Sequence, residues 1–167
     1  MAQALATVPE NALEKVIAGE LPFNVYFGFN RGQLDAMAAL GFNLYEQGRN
    51  RDAERIFKGL IALDSKLFYG YAGMGAMALS EEKLDEALSY LRKAAELEPN
   101  DPTIHANLGE TLLRQAKFDE AAAEFEKALA LDADEDDPGA NRARAIIDGM
   151  EIVVSELTRL QKAAGQA

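Results

Sequence analysis

The residues best equipped for chemistry in this chain are a lone histidine, His105, and the alternating aspartates Asp132, Asp134 and Asp136. A histidine can shuttle protons or bind a metal, but either task needs neighbouring groups of the right kind. There is no second histidine and no cysteine to join it. His105 therefore reads as a packing ring. Alternating aspartates can open a calcium loop, which requires glycine sixth and a bidentate glutamate twelfth. Counting from Asp132, the glycine is eighth, at Gly139, and the twelfth residue is Ala143. Residues 132–143 read instead as a solvated acidic linker. Arg51, Arg55 and Lys58 form a basic stripe on one helical face, and they too read as a solvated surface. No Ser–His–Asp set, P-loop or nucleotide fingerprint is present. The sequence points away from an enzyme and implies neither cofactor nor metal.

Composition narrows the class further. The formal net charge of −11 argues against a nucleic-acid partner, because phosphate binding needs a basic footprint. No stretch approaches the roughly 20 apolar residues that span a bilayer, so no stable membrane insertion is expected. The opening "MAQALATVPENALEKV" lacks a basic segment followed by a long apolar run, so no secretory signal is expected. The absence of cysteine fits a reducing cytoplasm. Scarce proline and abundant Leu, Ala, Glu and Lys predict an all-α chain.

The elements that position these residues are set by an internal repeat. "LDAMAALGFNLYEQGRNRDAERIFKGLIALDS" from Leu34, "FYGYAGMGAMALSEEKLDEALSYLRKAAELEP" from Phe68 and "PTIHANLGETLLRQAKFDEAAAEFEKALALDA" from Pro102 align without gaps at an offset of 34. The offset superimposes Gly41, Gly75 and Gly109, then Ala53, Ala87 and Ala121, then Phe57, Leu91 and Phe125. Leu40, Met74 and Leu108 share a column, as do Leu44, Ala78 and Leu112. Small residues at the eighth and twentieth positions of a 34-residue period are the tetratricopeptide (TPR) pattern, one antiparallel helix pair per repeat. The small residues let the two helices approach closely. The large residues at positions 7, 11 and 24 are expected to fill the gaps between neighbouring repeats.

The expected fold is a TPR-type right-handed helical solenoid. It has an N-terminal helical and aromatic segment at 1–33, with a helix around Ala12–Ala18, and repeats at 34–67, 68–101 and 102–135. Asp101 and Pro102 read as N-cap and first residue of a helix. From 136 to 167 the pattern changes. Ile146, Ile147, Met150, Val153, Val154, Leu157 and Leu160 recur at threes and fours, predicting one long amphipathic helix that caps the open face of the last repeat.

Helical geometry separates two stripes on the first helix of each repeat. One packs inward. The other, at positions 5, 9 and 12, is expected to line a concave groove: Ala38, Phe42 and Tyr45, then Ala72, Ala76 and Leu79, then Ala106, Glu110 and Leu113. Tyr69, at position 2, joins them. Alanines let a guest main chain come close, while the aromatic and leucine side chains form pockets, which suits an extended peptide with a few apolar anchors. A groove that clamps a terminal carboxylate would place Lys, Arg or Asn at positions 5 and 9, and none is there.

The non-consensus residues carry a narrower resemblance. "LGFNLYEQGRNRDAERIFKGLIALDSKLFYGYAGMGAM", 40–77, resembles the translocator chaperones of bacterial type III secretion, the class II or low-calcium-response family. The matching residues are Phe42, Asn43, Tyr45, Gly48, Ala53, Phe57, Leu60, Leu63, Asp64, Phe68, Tyr69, Met74 and Gly75. "GELPFNVYFGFNRGQLDAM" resembles the family's lead-in. The resemblance implies a cytoplasmic export chaperone that holds a hydrophobic secreted translocator soluble by gripping an extended segment in the groove. It also implies a homodimer through the N-terminal region, which would employ Phe23, Tyr26, Phe27 and Phe29. The competing reading is a general TPR scaffold or adaptor with no secretion role, binding through the convex or basic face.

Overall fold

The computed structural model describes residues 11–164, with the side chains of 163 and 164 undescribed. The described residues are helical: α1 (Ala12–Ile17), α2 (Phe23–Tyr26), α3 (Arg31–Glu46), α4 (Asn50–Leu63), α5 (Phe68–Ser80), α6 (Leu84–Leu97), α7 (Pro102–Arg114), α8 (Phe118–Leu131) and α9 (Pro138–Ala164). The architecture is that of a TPR-type helical solenoid, with α3–α4, α5–α6 and α7–α8 as the helix pairs. Two compact units divide the chain between Pro99 and Asn100.

Each pair is closed by the same contact. A methyl group placed on Gly41 would stand 2.7 Å from the Phe57 ring, one on Gly75 would stand 2.6 Å from Leu91, and one on Gly109 would stand 2.5 Å from Phe125. Separations that short are excluded by van der Waals contact, so the eighth position has no room for a side chain. The large residue at position 24 therefore fills space within its own pair. Phe57 also serves the next pair, since a methyl on Gly73 would lie 2.4 Å from its ring. Phe57 and Leu91 are fully buried.

The position-7 column behaves differently along the chain. Met74 and Leu108 are buried, whereas Leu40 is 50% exposed. Among the described residues only the short α1 and α2 precede α3–α4, not a full repeat, so the gap that position 7 was expected to fill is absent there.

Turns within the pairs share one backbone device. Gly48, Glu82 and Ala116 all have left-handed φ, at +74°, +59° and +59°. They occupy one column of the repeat. Only glycine adopts that region without steric cost.

α3 starts three residues ahead of the repeat frame because Asn30 and Gln33 form a reciprocal capping box: Gln33 N donates to Asn30 Oδ1 at 3.0 Å and Asn30 N to Gln33 Oε1 at 2.9 Å. Asp101 caps α7, accepting from Ile104 N at 2.9 Å ahead of Pro102 at the first helical position.

The acidic linker expected between α8 and α9 is instead a built junction. Asp132 is buried and accepts hydrogen bonds from Asp136 N at 3.1 Å and Asp137 N at 3.0 Å. Arg144 reaches back with one nitrogen 2.8 Å from the Asp132 carboxylate and another 2.9 Å from its carbonyl oxygen. Asp137 caps α9 by accepting from Ala140 N at 2.8 Å, and also accepts from Thr103 Oγ1 at 3.0 Å. Burial alone would raise the Asp132 carboxyl, but the Asp137 N–H and Arg144 outweigh it and hold it below its ordinary value.

The capping role of α9 applies to its first third. Ala140 and Ala143 are buried, and a methyl on Gly139 would stand 2.6 Å from Thr103. Beyond Gly149 the helix keeps its apolar face in solvent: Val153, Val154, Leu157 and Leu160 are all more than half exposed. A lid along its whole length would have covered that face.

Candidate functional site

Within the first unit, α3 and α5 present an aromatic shelf. Phe42 is half-buried, its ring centroid 4.9 Å from that of Phe57. The glycine at position 41 lets that ring sit close to the helix and supports Phe42 from beneath. Tyr45 is half-buried, and its hydroxyl donates to the Ala76 carbonyl at 3.4 Å. Tyr69 packs on Phe68 at 4.1 Å between centroids, and the Arg31 guanidinium stands 5.6 Å from its ring. Hydrogen bonding to the Tyr69 hydroxyl, with help from Asp35, holds Arg31 above its ordinary value. The three rings thus keep part of their faces open while the hydroxyls of Tyr45 and Tyr69 are tied down, which is what a preformed apolar site needs.

The other groove positions are distributed by depth. In the first unit Ala38, Ala72 and Leu79 are buried, and Ala76 is half-buried beside the shelf. In the second unit Ala106 is buried. Glu110 is held by two guanidinium groups, Arg114 at 2.6 Å and Arg142 at 3.2 Å. Leu113 lines an apolar cavity of about 670 Å³ with Phe118, Phe125, Ile147, Met150 and Val154.

The rest of the second unit is ionic where the first is aromatic. His105 is buried with its Nδ1 2.6 Å from Glu124 Oε2, and Lys127 stands 2.7 Å from the other oxygen. Burial pushes the Glu124 carboxyl up, but the bonds from Lys127 and His105 prevail and hold it below its usual range. His105 is the packing ring expected at its position, with a polar tether added. Arg142 also bonds Asn107 across the α7–α9 contact.

In the lead-in, Phe23 and Phe27 are exposed and stack at 6.2 Å, while Tyr26 meets Phe27 edge-on at 5.2 Å. Phe29 packs against the core of the first unit. The basic stripe is a solvated face, as expected, and part of its charge is paired. Arg55 lies 3.6 Å from Asp52, and Lys58 lies 2.6 Å from Glu54, on the same helix. Among the described residues no group of three or more acidic or histidine side chains is arranged to hold a metal. No described helix is long and apolar enough to cross a membrane.

Two tetratricopeptide-repeat family models match, one over residues 39–102 and the other over 78–147. PcrH from Pseudomonas aeruginosa is 31% identical, with 72% of this chain matched to 92% of PcrH at a TM-score of 0.59. PcrH in complex with the chaperone binding region of PopB gives 32% identity over 71% of this chain and 97% of PcrH, also at 0.59. The chain is a tetratricopeptide-repeat protein of the PcrH family. The Yersinia enterocolitica type III secretion translocator chaperone SycD shares its fold at 22% identity, with 77% of this chain and 98% of SycD superposed at a TM-score of 0.63. No curated protein sequence matches the chain. The resemblance to type III secretion translocator chaperones thus extends well beyond the 40–77 segment, to about three quarters of the chain. Membership of this family points to a protein that binds other proteins rather than one that catalyses a reaction.

The junction at Asp132 and Asp137 is the structural arrangement that sequence reasoning missed. Its signal was available: "DP" at 137–138 repeats the "DP" of 101–102 that starts α7.

Proposed function

We propose that this protein is a cytoplasmic export chaperone for a hydrophobic type III secretion translocator. It binds an extended apolar segment of that client on the shelf formed by Phe42, Tyr45 and Tyr69, and performs no chemical step. The observation that carries this reading is the match to PcrH, whose complex contains the chaperone binding region of PopB. The half-open rings of α3 and α5 support it physically. Each anchor side chain of a client buried there would contribute about 1.5–3 kcal/mol. Ordering an extended segment costs about 1–2 kcal/mol per residue, so several anchors are needed and the affinity is modest. Modest affinity suits a chaperone that must release its client for export. The stacked Phe23 and Phe27, exposed in the lead-in, support homodimerisation through residues 1–33. The scaffold reading, which relies on Arg51, Arg55 and Lys58, is weakened by the ion pairs that tie Arg55 and Lys58 to their own helix.

Co-expression with a candidate client, a long protein with membrane-spanning stretches encoded in a neighbouring reading frame, tests the proposal. Phe42→Glu and Tyr45→Glu should abolish co-purification while helicity by circular dichroism is retained. If both variants still hold the client in solution, the shelf is not its site.

A further inference from the structure

We infer that Arg31 is a positioning residue of the shelf: it fixes the Tyr69 ring in the attitude that receives the client, and acts on the client only through that ring. This role rests on the shelf being the client's site. Arg31 reaches the shelf because α3 starts a turn early. α5 begins at Phe68 and α7 at Pro102, each the first residue of its repeat, whereas α3 begins three residues ahead of Leu34. The Asn30–Gln33 capping box supplies that extra turn. In the other pairs the same column holds Ser65 and Pro99, which lie before the helix.

At 100° per residue, Arg31, Asp35, Phe42 and Tyr45 fall within about 80° of one another around α3. The extra turn therefore lengthens the stripe that carries the rings. Asp35, one turn on, holds the Arg31 Nε at 2.9 Å. The guanidinium carbon stands 5.6 Å from the centroid of Tyr69, within cation–π reach, and the group donates to the hydroxyl of the same ring. Phe68 packs on that ring at 4.1 Å between centroids. Tyr69 is thus held at its face, at its hydroxyl and by its neighbour. A guanidinium suits this task because its plane can stack and donate at once, which a compact ammonium does less well. Folding stability does not account for the arrangement. The Arg31 and Asp35 side chains are 63% and 43% exposed, and exposed ion pairs contribute little to stability. Preorganisation does account for it, since a ring already fixed need not be ordered when a guest binds.

The probe is the shortest segment of the co-expressed client that still co-purifies with the unaltered chain, labelled with fluorescein and titrated by anisotropy. Arg31→Ala should weaken its binding about fivefold, the scale of an exposed cation–π contact. Arg31→Lys should leave a loss of only about twofold, because the charge stays while the stacking plane goes. In a Tyr69→Ala background, itself weakened, Arg31→Ala should cost nothing further. A second readout needs no client. In the full chain labelled with 3-fluorotyrosine, the fluorine line of Tyr69, assigned by its loss in Tyr69→Phe, should move in Arg31→Ala while those of Tyr71 and Tyr90 stay. An unmoved Tyr69 line overturns the inference, as does a moved line with unchanged affinity. A fivefold loss that persists in the Tyr69→Ala background also overturns it, and makes Arg31 a direct contact to an acidic group of the client. Binding that survives Phe42→Glu removes the shelf as the client's site, and this role with it.

Discussion

The two units share a period and differ in what they show to solvent. In both, a glycine at position 8 receives the large residue of position 24, and the alanine of position 20 is buried: Ala53, Ala87 and Ala121. Outside those columns they part. The first unit exposes rings at Phe42, Tyr45 and Tyr69. The second carries Glu110 between two arginines and Glu124 between His105 and Lys127. A repeat constrains the columns that touch neighbouring helices and leaves the others open to specialisation. Here one unit presents half-open rings and the other ties its helices together with ion pairs.

The shared part should break alike in both units. Gly41→Val and Gly109→Val each force a side chain into Phe57 or Phe125. Each should lower stability by about 3 kcal/mol, the upper range for overpacking, as read from urea midpoints. A mild effect at either site would mean that the pair can open without loss.

The divergent part should separate next. Phe42→Ala should weaken client binding by about 1.5–3 kcal/mol, measured by calorimetry, while Glu110→Ala leaves it unchanged within error. Equal losses would erase the distinction between an aromatic and an ionic unit.

Acid should then act unevenly. The Glu124 carboxyl is held below its ordinary value of 4.5 in the folded chain. Its contribution is therefore fully present above that pH and is lost as pH falls through the lower folded value. Asp132 behaves the same way below its ordinary 3.8. In the first unit the lowered carboxylate is Glu54, bonded foremost by Lys58 on an exposed surface, where such pairs contribute little. Hydrogen exchange at falling pH should release amides of α7–α9 before those of α3–α5, and Glu124→Gln should narrow the gap. The smallest effect is expected at the turn: Ala116→Gly relieves a left-handed φ of +59° and should stabilise by about 0.5–1 kcal/mol, whereas Gly48→Ala should destabilise.

The part of this fold legible in the sequence was the part that contacts itself. The close approach of paired helices at Gly41, the Asp101–Pro102 helix start and the helix at Ala12 follow from residue type and period alone, whereas Phe57, expected between repeats, fills its own pair. Depth was less legible. Ala38, Ala72, Leu79 and Ala106 lie on the expected stripe yet are buried, because periodicity gives a direction around the helix and says nothing about what covers it. Asp132 was misread for a related reason: a run of acids looks solvated until an arginine twelve residues on, Arg144, turns back to meet it. The free half of α9 was misread because an amphipathic stripe announces that a partner is required without saying that the chain supplies it.

The contact between each position-8 glycine and its large partner has a kinetic consequence. Each instance joins residues only sixteen apart, at 41 and 57, 75 and 91, and 109 and 125. Closing so short a loop sacrifices little chain entropy, and topologies dominated by such local contacts fold quickly. Each pair can therefore nucleate independently while the chain emerges from the ribosome. Gly109→Val should consequently slow refolding of the second unit and leave the refolding rate of the first untouched.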